Sequence, residues 1–383
     1  MNNTIPILST FSGGGFLDMG FMKEEFQISA ACEIEPSFTT AYNSGIKSFL
    51  SKAHKSKSIS MDVQHFDIEK PIDISSSKEQ LLISKKYKNS IEGIIGGPPC
   101  QDYSTGGKNA GVEGLRGKLI YSYLELINLV QPSFIFFENV SGLYNTKTHQ
   151  LAFFDLVKKL EKNYTLWYEV LNSLDYGVPQ DRARVVLVGF KKNIVRKLIQ
   201  SGYKLIDENK LQDNLVFRWP NKKFKNPKNI LWPKTWSFGS DIHEEELNNI
   251  PKIYSPLFVA SAFSKINNDD INQQEFFNPY SKRFNEINEG DTNRKSFKRL
   301  HRYRFSPTVA YGNNEVHLHP TEARRLSVRE ALRLQTVPDS YILPKEITLT
   351  QKFKIISNGV PTQKAALIAK EIRRTMQNYY STF

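Results

Sequence analysis

Apolar positions in the first half of the chain fall into short continuous runs separated by stretches with helical spacing. Ile5 to Phe11 is a run of strand length that leads directly into the turn Ser12-Gly13-Gly14-Gly15 and then a short helix. Ile28 to Cys32 predicts a second strand, and Pro36 suits the first turn of the helix after it, since its fixed φ is already helical. Residues 45–60 and 73–90 are rich in lysine and serine and are expected as loops, with Asp62-Val63 between them. Ile91 to Ile95 reads as a strand, and Ile120, Leu124, Ile127 and Val130 mark a helix. Phe134 to Phe137 predicts a strand and Leu151 to Leu160 a helix. Tyr164, Leu166, Tyr168 and Val170 alternate as in a half-buried strand, and Val185 to Phe190 is another. Strands alternating with helices are the pattern of a doubly wound α/β sheet.

The pattern changes after Gln212. Residues 217–320 are irregular, aromatic and basic, with Trp219, Trp232 and Trp236 close to prolines, and no internal repeat is visible. Regularity returns at Arg325. Ser327 and Glu330 form a capping box that predicts a helix to about Gln335, and a final helix carries Ala365, Ala366, Ile368, Ala369 and Ile372. Two domains are expected: 1–216 with 346–383 returning to it, and a smaller irregular domain over 217–345.

The 383 residues are 39% hydrophobic and 24% charged, ordinary for a soluble protein. No apolar run reaches transmembrane length, and the N-terminus lacks the basic start and apolar stretch of a signal peptide, so an intracellular protein is expected. Two cysteines, Cys32 and Cys100, are too few for a disulfide framework or a structural zinc site. His301, His317 and His319 have no accompanying cysteine cluster, so no metal is expected. The net charge of +13 favours a polyanionic partner, although basic surface also serves solubility and lysine is abundant throughout.

The chemistry concentrates at two strand ends. Gly96-Gly97-Pro98-Pro99-Cys100-Gln101 follows one apolar run, and Phe137-Glu138-Asn139-Val140 closes another. They aim a thiol and a carboxylate at one spot. A lone cysteine is ordinarily a small buried hydrophobe. Cys100 instead leads into a loop holding Gly106, Gly107, Gly111, Gly114 and Gly117, suited to closing over a substrate. A thiol of ordinary pKa, about 8.5, needs nearby cations to ionise, and Arg182 and Arg184 are the candidates. The glycine turn lets the backbone approach a cofactor, and Glu33 at the end of the second strand can accept ribose hydroxyls.

These segments resemble the motifs of the DNA (cytosine-5) methyltransferases, of the bacterial restriction-modification type. The resemblance covers about residues 4–190 and 308–375. Besides the motifs above it includes Arg116-Gly117-Lys118-Leu119, Tyr176 to Arg184, Arg325 to Glu330, and Ser357-Asn358-Gly359-Val360-Pro361. It implies a Rossmann-like S-adenosylmethionine-dependent sheet with a smaller target-recognition domain. It assigns Cys100 as nucleophile, with Glu138, Arg182 and Arg184 as its catalytic partners. The cofactor would be held by Phe11, Ser12, Gly13, Gly15, Phe16, Glu33, Ile34, Asp62, Val63, Pro98, Leu119, Asn358 and Val360. Phe16 stands where the family usually has glycine and Ile34 where an aromatic residue often covers the adenine; Thr336 and Ser357 replace two further glycines.

The same resemblance implies a flipped-out cytosine, with Gln101 and Ser104 near the start of the lid. In the basic segment, Lys282, Arg283, Arg294, Lys295, Lys298, Arg299, Arg302 and Arg304 are expected mostly at phosphates or solvent. Arg304, Thr308, Tyr311, Asn313 and Asn314 are expected toward the bases. The expected setting is a monomeric, cytoplasmic enzyme acting on double-stranded DNA at the nucleoid, without a membrane. A restriction endonuclease would be its genetic partner and form no stable complex with it. A tRNA cytosine methyltransferase, or a non-catalytic DNA-binding protein on the same fold, are the alternatives.

Overall fold

The computed structural model describes residues 4–60, 62–64, 67–99, 119–205, 214–267, 269–309, 311 and 316–383. Six strands form one sheet in the order β2-β1-β3-β4-β6-β5. They are β1 (Ile5–Thr10), β2 (Phe26–Cys32), β3 (Gly93–Gly96), β4 (Phe134–Val140), β5 (Tyr164–Asn172) and β6 (Ala183–Lys191). The pairings from β2 through β4 are parallel, and β6 runs antiparallel to both β4 and β5. Both faces are covered, so alternate residues feed two cores. Phe134 and Phe136 join one cluster with α1 (Phe16–Lys23), α2 (Pro36–Lys55) and α13 (Thr362–Tyr380). Ile135 and Phe137 join the other, with α4 (Leu119–Val130) and α6 (Lys147–Leu160). Gly93 sits where a Cβ would come within 2.1 Å of the Phe134 ring, so the shortest central strand is pressed flat against its neighbour.

Several expectations need correction. Residues 45–60 are largely the second half of α2, and 77–87 are α3 (Ser77–Tyr87). In α2, Tyr42, Ile46, Phe49, Leu50 and Ala53 keep a buried helical stripe beneath the lysines. In α3 the buried face is partly polar. Gln80 replaces an apolar side chain and donates to the carbonyls of Ile74 and Ser122. β1 stops at Thr10, and Phe11 takes a left-handed φ of 53°. β3 covers Gly93–Gly96 instead of starting at Ile91. Two further helices were not anticipated, α7 (Lys192–Gln200) and α12 (Leu349–Asn358). The capping box at Ser327 and Glu330 starts α11 (Val328–Leu334). Between β4 and α6 lies one turn, α5 (Gly142–Asn145).

The segment after Val216 has little regular structure: α8 (Glu244–Asn248), α9 (Val259–Phe263), α10 (Arg283–Glu286) and the two-residue parallel pair β7 (Lys298–Arg299) and β8 (His317–Leu318). Its framework comes from arginines, buried or half-buried. Arg299 is fully buried and donates to the carbonyls of Phe284, Ile287, His319 and Glu322. Arg302 binds buried Glu289 through Nε and Nη2. Leu326, Val328, Ala331, Leu332, Leu334, Val337, Tyr341 and Leu343 belong to the same apolar cluster as α1, α2 and α13.

Candidate active site

Parallel strands leave a crevice beyond their C-terminal ends. Here it is a cavity of about 950 Å³ at the ends of β1 to β4, walled on its far side by Ser357 to Val360. At one end lies the turn after β1. Glu33 Oε2 accepts from Gly13 N at 2.8 Å, while Oε1 accepts from Ile34 N at 3.0 Å and Glu35 N at 2.9 Å. Burial pushes its carboxyl above the ordinary range, against the pull of those three donors. A carboxylate has about four acceptor positions, so capacity remains for a ribose hydroxyl. Ile34 is 58% exposed at the rim. Phe16 is buried edge-to-face on Tyr341, its ring so close to Gly359 that a Cβ there would come within 2.2 Å. The bulk at position 16 is thus taken up by a glycine across the cavity.

Phe11, Ser12, Gly13, Phe16, Glu33, Ile34, Pro98, Leu119, Asn358 and Val360 all line this cavity. Gly15, Asp62 and Val63 are not part of its lining. Gly15 faces Ile46 and Tyr42, and Val63 is buried in the core beneath α2. Asp73 lines the cavity where Asp62 was expected to. Its segment is tied to the second strand by Ile72 N donating to Glu33 O at 2.7 Å. The signal in the sequence was an aspartate between two isoleucines within a polar stretch.

At the other end, Glu138 leaves β4 almost wholly buried. Its Oε1 lies 3.5 Å from Arg184 Nε and has no hydrogen-bond partner among the described residues. Asn139 Nδ2 donates to Pro98 O at 3.1 Å, pinning the Pro-Pro turn to the end of β4. Gly97 lies beside the carboxylate, and a Cβ there would sit 3.7 Å from Glu138 Oε2. Cys100, the residue after Pro99, lies outside the described residues, as do Gln101, Ser104, Asn313 and Asn314. Arg182 Nη2 donates to the carbonyls of Ser357 and Gly359, at 3.1 and 2.9 Å, tying the returning segment to the site.

The residues expected at the bases have structural contacts. Thr308 Oγ1 donates to Asp181 O. Tyr311 packs edge-on against Phe353, with ring centroids 4.9 Å apart. Arg304 Nη1 donates to Gly290 O at 3.2 Å. The three histidines are packed separately, His301 on Trp236, His317 on Tyr311 and His319 on Phe263. Lys364, which motif reading passed over, lies buried within electrostatic reach of Glu138.

The crevice thus holds a carboxylate bound by backbone N–H groups at one end and an unsatisfied carboxylate beside a Pro-Pro turn at the other. The chain belongs to the C-5 cytosine-specific DNA methylase family, whose pattern it matches over residues 5–374, and it is a DNA (cytosine-5) methyltransferase. It is 38% identical to the Type II methyltransferase M.NmeDI of Neisseria meningitidis serogroup C, over 98% of this chain and 84% of that one. It is 29% identical to M.FnuDI of Fusobacterium nucleatum, over 97% and 95%. In structure it resembles a prophage-encoded DNA modification methyltransferase of E. coli, described as putative, at a TM-score of 0.63 and 23% identity, covering 97% of this chain and 99% of that one. Among the described residues no helix is long and apolar enough to cross a membrane.

Proposed function

We propose that this enzyme methylates carbon 5 of a flipped-out cytosine within a specific double-stranded DNA sequence, through a covalent bond between Cys100 and the base. The observation that supports this best is Glu138. It is a buried carboxylate with one unsatisfied oxygen, on a residue that lines the cavity next to the turn that leads into Cys100. This carboxylate can receive the exocyclic amine of cytosine and steady the ring nitrogen. Sγ of Cys100 adds to carbon 6, and the electron pair of the 5,6 double bond becomes available at carbon 5. Bound S-adenosylmethionine supplies the electrophilic methyl group. A base, of which water is the simplest, then takes the carbon 5 proton, the double bond re-forms and the thiolate leaves. Glu33, the Gly13 turn and the segment from Asn358 to Val360 would hold the cofactor against this end of the cavity.

DNA would lie in the cleft between the sheet domain and the irregular segment after Val216, whose side chains would face the grooves. The biological role that fits is a modification enzyme paired genetically with an endonuclease, acting as a monomer on cytoplasmic DNA. Incubation with DNA containing 5-fluorocytosine tests the chemistry. Fluorine cannot leave as a proton does, so a denaturation-resistant protein–DNA adduct should form with the wild type and not with Cys100→Ser. Absence of an adduct, with S-adenosylmethionine present, on every 5-fluorocytosine-containing duplex would reject the covalent route.

A further inference from the structure

Lys364 occupies the first turn of α13, four positions before Ile368 and eight before Ile372, on the stripe which those isoleucines bury. Its side chain has no exposed surface, and its Nζ makes no hydrogen bond among the described residues. An ammonium so placed is costly unless charge nearby compensates it. The charged groups that act on it are Glu138 of β4, Arg184 of β6 and Arg182 just before β6. On α1, the helix packed along α13, Asp18 is turned to Ser9 and Tyr42 instead. The turn carrying Lys364 is fastened on three sides. Thr362 Oγ1 donates to Phe16 O at 3.4 Å, Gln363 Nε2 to Tyr176 O at 2.8 Å, and Gln363 N to Thr336 Oγ1 at 3.0 Å.

We propose that Lys364 is a positioning residue for methyl transfer: a buried counter-charge within electrostatic reach of Glu138 that, with Arg184, holds this carboxylate ready for the cytosine ring. Lys364 has this role only if the enzyme works through Glu138 as set out above. Burial pushes its ammonium down to about 7, with Glu138 opposing the shift and the two arginines adding to it. The group therefore exchanges a proton around neutral pH. It is a cation below that range and an amine above it, and its support for Glu138 fades as pH rises.

The test is Lys364→Met, which keeps the volume of the side chain and removes its charge. The full-length protein labelled with [ε-13C]lysine should show one resonance, missing in the variant, that titrates near neutrality. In Glu138→Gln its midpoint should move to lower pH, because the anion that favours the ammonium is gone. Methyl transfer to unmethylated DNA by Lys364→Met should fall about tenfold in kcat at pH 7, the factor for one pH unit of lost electrostatic support. The KM for S-adenosylmethionine should hold, and the wild type's dependence on pH between 6 and 8 should flatten. A resonance unmoved by Glu138→Gln, or a variant pH profile superimposable on the wild type's, overturns the role of Lys364 and leaves the methyltransferase function standing. A wild type that methylates no DNA, beside a resonance that still responds to Glu138→Gln, rejects the proposed function and this role in it, while the Lys364–Glu138 coupling stands.

Discussion

Replacing Glu33 by alanine separates the cofactor's contact from the loop's own architecture. The carboxylate accepts three backbone N–H groups, from Gly13, Ile34 and Glu35, at 2.8 to 3.0 Å. Losing a charge-assisted hydrogen bond to the ribose costs about 1.5–3 kcal/mol, roughly 10- to 150-fold in Kd. Leaving a part-buried N–H unsatisfied costs about 1–3 kcal/mol of stability, a separate loss that unfolding reads and binding does not. Calorimetric titration with S-adenosylhomocysteine gives the first quantity and thermal unfolding the second. Glu33→Gln should fall between, since its one carbonyl oxygen cannot serve both Gly13 and the pair Ile34 and Glu35. Because burial raises this carboxyl above its ordinary range, the wild type should also lose cofactor affinity at a higher pH than a free carboxylate would, as acid protonates the acceptor. Unchanged affinity in Glu33→Ala would remove Glu33 from the cofactor site.

Cys100→Ser should abolish methyl transfer, since a hydroxyl is almost never ionised near neutral pH, while DNA retention in a gel-shift assay stays near wild type; substantial turnover would reject the nucleophile. Arg304→Ala should lower the thermal midpoint and weaken binding to cognate and scrambled duplexes alike, because Arg304 donates to Gly290 O; a loss confined to the cognate duplex would make it a base reader. Lys295→Ala should leave stability unchanged and flatten the log–log salt dependence of DNA binding by about one unit; an unaltered slope would take Lys295 off the phosphates. Burial holds the His317 imidazole down to about 3, whereas the unfolded chain takes up its proton near 6.5. Its contribution to stability is therefore complete above 6.5 and is lost progressively as pH falls toward 3. The wild type should lose thermal stability relative to His317→Phe between pH 6.5 and 4, and parallel curves would contradict a buried neutral His317.

What could be read from the sequence was local. The capping box at Ser327 and Glu330 is complete within four residues and appears in the structure as expected. The strands from Phe134 and Val185 announce themselves because sheets covered on both faces have continuous apolar runs. What could not be read depends on partners far away in the chain. Asp62 and Asp73 look alike beside aliphatic residues, and only the bond from Ile72 to the carbonyl of Glu33 brings Asp73 to the cavity. The arginines from 299 to 304 look like a DNA-facing cluster. Arg299 instead joins four backbone carbonyls in a segment with little regular backbone hydrogen bonding. A guanidinium offers five donors in fixed directions, so it can substitute for a missing strand ladder as readily as it can hold phosphate.

Lys364 shows how a periodic pattern can point to chemistry as well as to structure. Ala365, Ile368, Ala369 and Ile372 define the final helix by their spacing, and the same spacing puts Lys364 on that apolar stripe. A lysine on a stripe is usually near a helix end, where its long side chain reaches water. Here the side chain has no exposed surface, so the ammonium does not reach solvent, and the carboxylate that acts on it is Glu138. Motif comparison attends to positions that match the family. The charge at position 364 becomes visible only when a residue is weighed against the face it occupies, and a fully buried cation within reach of a largely buried carboxylate is costly enough to demand a reason.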